Sequence, residues 1–229
     1  MSFHEELTRI TTPDRQQLLA APVIGRALAG RLERSTYLEF LAQAYHHVRH
    51  TVPLLMAVGS RLDDRHAWLQ PAVLHYLEEE AGHEQWILND IEAAGGDRER
   101  VCSSAPAIAT EAMVAYAYDT VMRGNPVGFF GMVQVLEGTS VALALQAAER
   151  IQASLRLPAR AFSYLKSHGE LDQQHVGDLA DILERLSDPV DRAAVIRCAR
   201  GIYWLYGAMF RGLDHAVSDE LAPAQRRTA

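Results

Sequence analysis

Apolar residues recur at spacings of three and four along most of the chain, a pattern typical of amphipathic helices. The clearest example covers residues 37–48, where one face carries Tyr37, Phe40, Leu41, Ala44, Tyr45 and Val48. No strand-like alternation of any length, no internal repeat and no low-complexity tract interrupts this pattern. We therefore predict an all-α protein, a bundle of about seven helices.

Glycine, proline and serine residues divide the pattern into segments. An irregular or short-helical lead-in is predicted over residues 1–34, broken at Thr12-Pro13 and at Pro22. The first long helix should follow an N-cap at Ser35 and kink at Pro53. We predict the other helices at about 68–94, 107–123, 127–155, 158–186 and 189–217, with a linker at 97–106 and a loose tail at 218–229.

Composition narrows the class of protein. A chain of 229 residues suits one domain over positions 1–229, and 48% hydrophobic with 22% charged residues is ordinary for a soluble protein. A formal net charge of −7 without a basic stretch argues against nucleic-acid binding. The start of the chain lacks the features of a signal peptide, and no run of about 18 apolar residues stands out. We therefore expect a cytoplasmic protein without a membrane partner.

Three stretches carry metal-binding residue types. In the first, His168, Asp172 and His175 follow one another at i, i+4 and i+7, which places them within roughly a 60° arc of a helix. The second contains Glu80-x-x-His83, and the third places Glu137 alone in a nearly uniform apolar run. Carboxylates and histidines that project inward from several helices are the way helical bundles build di-iron or di-manganese sites.

The spacing leaves two choices open near Glu80. Glu79 lies at i−4 from His83, which is geometrically as good as the i−3 spacing of Glu80. His75 either orients a ligand or is an ordinary histidine at the edge of the core.

Together these residues resemble the ligand set of the haem-oxygenase-like di-iron oxidases and oxygenases. That family shares its all-helical fold with haem oxygenase, the TenA proteins and the PQQ-synthesis oxidase. The order is similar, because a Glu/His helix comes first, a lone Glu second and His-x-x-x-Asp-x-x-His last. The intervals are similar too, with 54 positions from His83 to Glu137 and 31 from Glu137 to His168. The resemblance covers roughly residues 20–215.

The resemblance implies a function. It implies that two iron ions are held by Glu80, His83, Glu137, His168, Asp172 and His175. Manganese is the alternative metal, and no separate catalytic residue is implied beyond the metal centre. Dioxygen would be the co-substrate for oxidising a small organic molecule, with an amine or amino acid favoured. The implied reactions are N-oxygenation, C–C cleavage or desaturation in specialised metabolism. The expected partners are that substrate, dioxygen, an electron donor and a second copy of the chain in a homodimer.

A second group of histidines, His46, His47 and His50, precedes Pro53 on the first long helix. No carboxylate is suitably spaced for a second metal pair, so we assign His47 and His50 to substrate binding, together with Trp204. Ordinary helix-face histidines are the alternative.

The runner-up function is a metal-free member of the same fold, either a TenA-like hydrolase or a cofactorless oxidase. A TenA-like hydrolase needs a nucleophilic cysteine, and the chain offers Cys102 in the predicted linker and Cys198 early in the last helix. A non-catalytic metal-binding protein is the third possibility.

Overall fold

The computed structural model describes the backbone of residues 1–220 and the side chains of residues 1–169 and 176–213. Over residues 1–220 the chain forms helices and no strand, which confirms the all-α prediction. The α-helices of this range are α1 (Phe3–Leu19), α2 (Pro22–Leu28), α3 (Arg34–Val48), α4 (Thr51–Arg61), α5 (Gln70–Glu80), α6 (His83–Ala93), α7 (Arg98–Ser103), α8 (Ile108–Met122), α9 (Phe129–Leu155), α10 (Ser163–Arg185) and α11 (Pro189–Glu220).

The first 28 residues are more regular than the predicted lead-in. Ser2 and Glu5 form a capping box that starts α1, and Pro13 lies inside this helix without ending it. The apolar face of α1 buries Phe3, Leu7 and Leu18 and packs along α11. Tertiary packing of that face therefore outweighs the local cost of proline.

The first long helix is divided, whereas a kink was predicted. Its N-cap is Glu33 instead of Ser35, and α3 ends at Val48. Pro53 then lies in the first turn of α4, where a missing backbone N–H costs little. The predicted linker at 97–106 contains the short helix α7, whose N-cap Asp97 accepts a hydrogen bond from the Arg100 amide. The predicted tail falls partly on α11, which runs to Glu220, and partly on residues 221–229, which lie outside the described residues.

Helix α9 is the centre of the bundle and packs against α10, α11 and α2. Two glycines allow close packing of its neighbours. A Cβ on Gly169 of α10 would lie 2.6 Å from Cγ of Leu145, and a Cβ on Gly131 would lie 2.8 Å from the Ala199 amide nitrogen of α11. Both distances are too short for a side chain, so glycine sets the spacing between α9 and its two main partners.

The segment Pro126–Leu155 is long and apolar enough to cross a membrane by length and composition. Of its most apolar window, 61% is buried inside the fold, as in the core helix of a soluble protein. The sequence therefore comes closer to a membrane-spanning pattern than we predicted, and burial against α10 and α11 accounts for its apolar character.

Candidate metal centre

Glu80 and His83 lie at a break between two helices instead of on one continuous helix. Helix α5 ends at Glu80 and α6 begins at His83, because Gly82 adopts a left-handed backbone conformation with φ of 91°. A non-glycine residue rarely adopts this conformation. The predicted helix over 68–94 is therefore interrupted at the point that carries the motif. The turn still brings the pair together, with His83 Nδ1 3.1 Å from Glu80 Oε2.

His168 joins this pair from α10. Its imidazole lies edge-on to the His83 ring, with ring centroids 4.7 Å apart. His168 Nδ1 is 3.1 Å from the carbonyl oxygen of Tyr164, one turn earlier on the same helix. When Nδ1 donates its proton to this carbonyl, the lone pair of Nε2 is left to bind a metal.

Glu80, His83 and His168 therefore form a three-donor cluster. One ligand atom from each lies within 4.8 Å of the others. His83 is 2% exposed, whereas Glu80 and His168 are half-buried. Two imidazoles and one carboxylate suit iron, manganese or zinc, so the residues present fit the implied metal. A cation bound among them would pair with the Glu80 carboxylate and accept lone pairs from the two imidazoles. Their assignment as ligands stays a prediction.

Glu137 is buried on α9, at 7% exposure, and lines the same cavity as Glu80 and His168. It faces Tyr76 of α5, whose pKa is raised by burial and then by the Glu137 carboxylate. Tyr76 therefore keeps its proton and can donate it to Glu137 in a hydrogen bond. A buried carboxylate at this place is costly without such partners or a cation. The predicted role of Glu137 as a further ligand stays a prediction.

Two predicted ligands cannot be placed further than their helix. Asp172 and His175 belong to α10, but their side chains lie outside the described residues. Their roles therefore remain predictions.

The geometry distinguishes Glu79 from Glu80. The Glu79 carboxylate lies 3.2 Å from His75 Nε2 in an i, i+4 pair, and Glu79 is absent from both the three-donor cluster and the cavity lining. Glu80 belongs to both. The structure thus places Glu80 at the candidate centre and directs His75 towards Glu79.

Helix α6 supports the cluster with two residues that sequence reasoning missed. Trp86 stacks on the His83 ring with centroids 4.0 Å apart and meets the His168 ring edge-on at 6.1 Å. The carboxylate of Asp90, fully buried, accepts hydrogen bonds from the amides of Ser163 and Tyr164 at 3.0 and 2.9 Å, and from the Ser163 hydroxyl. Burial raises the pKa of Asp90, and these hydrogen bonds oppose the rise. Asp90 therefore caps the N-terminus of α10 from the helix that bears His83.

A long apolar cavity adjoins the three-donor cluster. It has a volume of about 160 Å³, and Glu80, Glu137 and His168 contribute to its wall. Most of its other lining residues are aliphatic or aromatic, and they come from α2, α3, α4, α5, α9, α10 and α11. An apolar cavity next to a candidate metal-binding cluster is suited to a small organic ligand.

The three substrate-binding predictions have different outcomes. His47 lines the cavity and is 3% exposed, and its Nε2 has no hydrogen-bond partner among the described residues. Burial lowers the pKa of His47 to about 3, with further contributions from His168, His50 and His46, so its imidazole is neutral. His50 instead contacts the Tyr118 hydroxyl at 3.2 Å. Trp204 is 61% exposed on the outer face of α11, so neither residue reaches the cavity.

The histidines at the end of α3 and the start of α4 also do not form a second metal pair in the described structure. His46 Nε2 lies 3.0 Å from the Ser104 hydroxyl, His47 packs edge-on against Tyr206 and His50 faces Tyr118. The three rings therefore have three separate neighbours.

Helical spacing could have predicted each of the site residues that the sequence analysis missed. Tyr76 lies four positions before Glu80, and Tyr164 lies four before His168. Ser140 follows Glu137 by three positions, and Trp86 and Asp90 follow His83 by three and seven. Each pair shares a helix face, so listing the neighbours at three, four and seven positions would have found them.

The chain was compared with known protein families, curated sequences and solved structures. The sequence profile of a family described as iron-containing redox enzymes matches residues 38–207. No curated protein sequence matches the chain significantly.

Among solved structures, a heme-oxygenase-like domain of unknown function from Shewanella denitrificans OS217 has a TM-score of 0.88 and 25% identity, covering 100% of this chain and 99% of that one. A TenA homologue from P. horikoshii OT3 has a TM-score of 0.76 and 12% identity, covering 93% and 98%. Heme oxygenase-1 from Synechocystis sp. PCC6803, in complex with heme, has a TM-score of 0.71 and 13% identity, covering 96% and 98%. These likenesses confirm the haem-oxygenase-like fold.

Proposed function

Because this chain belongs to the family of iron-containing redox enzymes, we propose that it is a non-haem di-iron oxidase or oxygenase that uses dioxygen to oxidise a small organic substrate. The observation that carries the proposal is the three-donor cluster of Glu80, His83 and His168, of which Glu80 and His168 also line an apolar cavity. Glu137 supplies a further buried carboxylate to the same wall, and Asp172 and His175 follow His168 on α10.

The residues of the chain hold and shield the reaction. Bound iron would supply the redox chemistry with dioxygen that amino-acid side chains lack. The carbonyl of Tyr164 fixes the orientation of the His168 ring, and Tyr76 holds a proton next to Glu137. The apolar wall excludes water from the substrate, which protects reactive species from hydrolysis. An external electron donor is part of the proposal wherever the reaction consumes more electrons than the substrate gives.

The substrate is bound through both a polar group and an apolar body. We retain N-oxygenation, C–C cleavage and desaturation as the reaction classes, with an amine or amino-acid group at the metal. The apolar lining supports a substrate in which this group is attached to a largely apolar body, because the wall offers few partners to a second charged group.

The cysteines argue against a TenA-like hydrolase. Cys102 is exposed on α7, whereas Cys198 is buried with a pKa raised to about 12 by burial. Neither thiol lines the cavity, so neither is placed to attack a bound substrate.

Metal titration combined with oxygen consumption tests the proposal. Protein given Fe(II) without oxygen should bind about two irons per chain. His83→Ala should bind less than one equivalent, whereas His75→Ala, which alters a half-exposed partner of Glu79, should bind as the wild type does. Exposure to air should then consume oxygen in the wild type and the control. A plateau at one iron would indicate a mononuclear site, and absence of binding would favour the cofactorless alternative.

A further inference from the structure

A buried histidine outside the candidate metal centre is held between two carboxylates. His66 belongs to a 3₁₀ helix, Asp64–Leu69, that connects α4 to α5, and it is 7% exposed. Its Nδ1 lies 2.7 Å from Asp63 Oδ1, and its Nε2 lies 2.8 Å from Asp191 Oδ2. Both ring nitrogens therefore face a carboxylate oxygen at hydrogen-bonding distance. We call this arrangement of three residues the His66 bridge.

The His66 bridge requires two protons on the imidazole. An ionised carboxylate only accepts hydrogen bonds and a neutral imidazole carries one N–H, so two such bonds need the doubly protonated ring. Both carboxylates are placed to stay ionised. The Arg65 guanidinium beside Asp63 lowers the pKa of that carboxyl, and the imidazole lowers it further. Asp191 lies in the first turn of α11, where the helix dipole favours a negative charge, and it accepts a hydrogen bond from Asn125 Nδ2 at 2.7 Å.

The bridge joins the starts of three helices. Asp191 belongs to α11, Asn125 immediately precedes a 3₁₀ turn that leads into α9, and the segment of His66 runs directly into α5. Helix α5 packs against this segment and against α4. It ends about 15 Å further on at Glu80, a member of the three-donor cluster. The His66 bridge therefore holds the start of the helix whose last residue is a candidate metal ligand.

The charges around the ring leave His66 as the positive group between the two carboxylates. Other charged side chains on the segments that meet at the bridge are those of Arg61, Asp64, Arg65, Arg185, Asp188 and Arg192. Of these, Arg65 pairs with Asp63 at 3.0 Å and with Asp188 at 3.7 Å. Helix α5 adds no charge at this end, because residues 70–74 are uncharged.

Loss of one proton would open the exposed side of the bridge. The side chain of Asp63 is 50% exposed, whereas Asp191 is 5% exposed. A buried carboxylate without its donor costs more than an exposed one, so a neutral ring keeps its N–H on Asp191. Asp63 then faces the lone pair of Nδ1, which repels it. Because Asp63 also caps the 3₁₀ helix through the Arg65 amide, its movement loosens the start of α5.

We propose that the His66 bridge is a pH-dependent link that holds the start of α5 while His66 carries two protons and opens on the side of Asp63 when one proton is lost. Both hydrogen bonds are present at lower pH, and the bond to Asp63 is lost as the pH rises. The link needs no metal, so it is independent of the proposed function, although it acts on the helix that ends at Glu80.

Nitrogen-15 NMR of the histidine rings in the full-length protein, followed from about pH 5 to about pH 9, tests the number of protons. The spectrum distinguishes a doubly protonated ring from a neutral one, and His66→Gln identifies the signal of His66 by its absence. In Asp63→Asn the ring should lose its second proton at a lower pH than in the wild type, because one of its two carboxylates has been neutralised.

Hydrogen exchange of the amides of residues 64–72 over the same pH range tests the link itself. After correction for the intrinsic exchange rate, protection in the wild type should fall about fivefold as the ring loses its proton. In Asp63→Asn this fall should disappear, because an amide side chain can accept a hydrogen bond from Nδ1–H or donate one to the bare nitrogen. Asparagine also caps a helix about as well as aspartate does.

Asp64→Asn is the matched control. It neutralises the next carboxylate along the chain, which is exposed, while His66 keeps its bonds to Asp63 and Asp191. A pH-dependent loss of protection in the wild type and in this control, but not in Asp63→Asn, would support the inference. An unchanged loss in Asp63→Asn would overturn it, and so would a His66 ring that keeps either one or two protons throughout the range. Failure of the protein to bind iron would leave these results unaffected.

Discussion

The ring of Trp86 provides a natural reporter of the candidate metal centre. It stacks on His83 at 4.0 Å, whereas Trp204 is exposed on α11 and Trp68 lies under the Arg185 guanidinium at 4.2 Å. A transition metal bound to His83 would therefore lie close to one of the three tryptophans.

Fe(II) added without oxygen should quench the fluorescence of Trp86, because energy and electron transfer to a metal ion fall steeply with distance. In Trp86→Phe the quenching should disappear, and in Trp204→Phe it should remain. Fluorescence titration measures both. Equal quenching in all three proteins would show that the metal binds away from His83.

At the scale of elements, Asp90 joins the two helices that carry the histidines of the cluster. It belongs to α6 with His83, and its carboxylate caps α10, on which His168 lies one turn further. The relative position of the two imidazoles thus depends on a side chain that touches neither.

Asp90→Ala should lower the free energy of unfolding by about 2–3 kcal/mol, because it removes a cap and leaves two amides without partners. It should also weaken Fe(II) binding, with Asp90→Asn intermediate. Asp119→Ala, which breaks an exposed i, i+4 pair with Arg123, should cost less than about 0.5 kcal/mol and leave metal affinity unchanged. Urea denaturation and metal titration measure these effects. If Asp90→Ala bound Fe(II) as tightly as the wild type, Asp90 would only stabilise α10 and would not affect the metal centre.

How well the sequence predicted each helix depended on the residues that end it. The boundaries of α8 and α9 followed from the sequence within two residues, because Pro126 marks their common limit, whereas α10 begins at Ser163, five residues after the predicted start at Pro158. The break at Gly82 was missed, since a glycine inside a helical pattern can also remain helical. Helix α1 was missed because its stability comes from packing on α11, which local sequence does not reveal.

At the scale of the whole molecule, the site is assembled from α3, α5, α6, α9 and α10. Helical spacing predicted that each of these segments carries polar residues on one face. The convergence of Glu80, His83 and His168 followed only from the family resemblance, because spacing along one helix contains no information about which helices pack together. For the same reason the apolar cavity had no sequence signal, as its alanines and leucines resemble ordinary core.

Global stability should fall in acid partly because of His47. Burial holds its folded-state pKa at about 3, below the ordinary value of 6.5, so the unfolded state binds the proton more readily. The contribution of His47 is complete above pH 6.5 and is lost as the pH falls towards 3, with a maximum slope of about 1.4 kcal/mol per pH unit.

His47→Phe should make the urea midpoint less dependent on pH in this window, whereas His75→Gln, at a side chain that is 47% exposed, should behave as the wild type does. Burial also lowers the pKa of His46 and His50, so part of the acid sensitivity should persist. An unchanged slope in His47→Phe would mean that burial does not lower the pKa of His47 in the folded protein.

The break between Glu80 and His83 imposes a constraint of handedness. Gly82 has φ of 91°, yet a Cβ built there meets nothing within 4 Å, so size is no obstacle. L-alanine would be strained by about 1–2 kcal/mol in this left-handed region. D-alanine favours it, and should stabilise the protein by up to about 1 kcal/mol by restricting the unfolded chain. Proteins made by chemical ligation with L-alanine or D-alanine at position 82 test this constraint. The D-alanine protein should have the higher thermal stability and should bind Fe(II) more tightly.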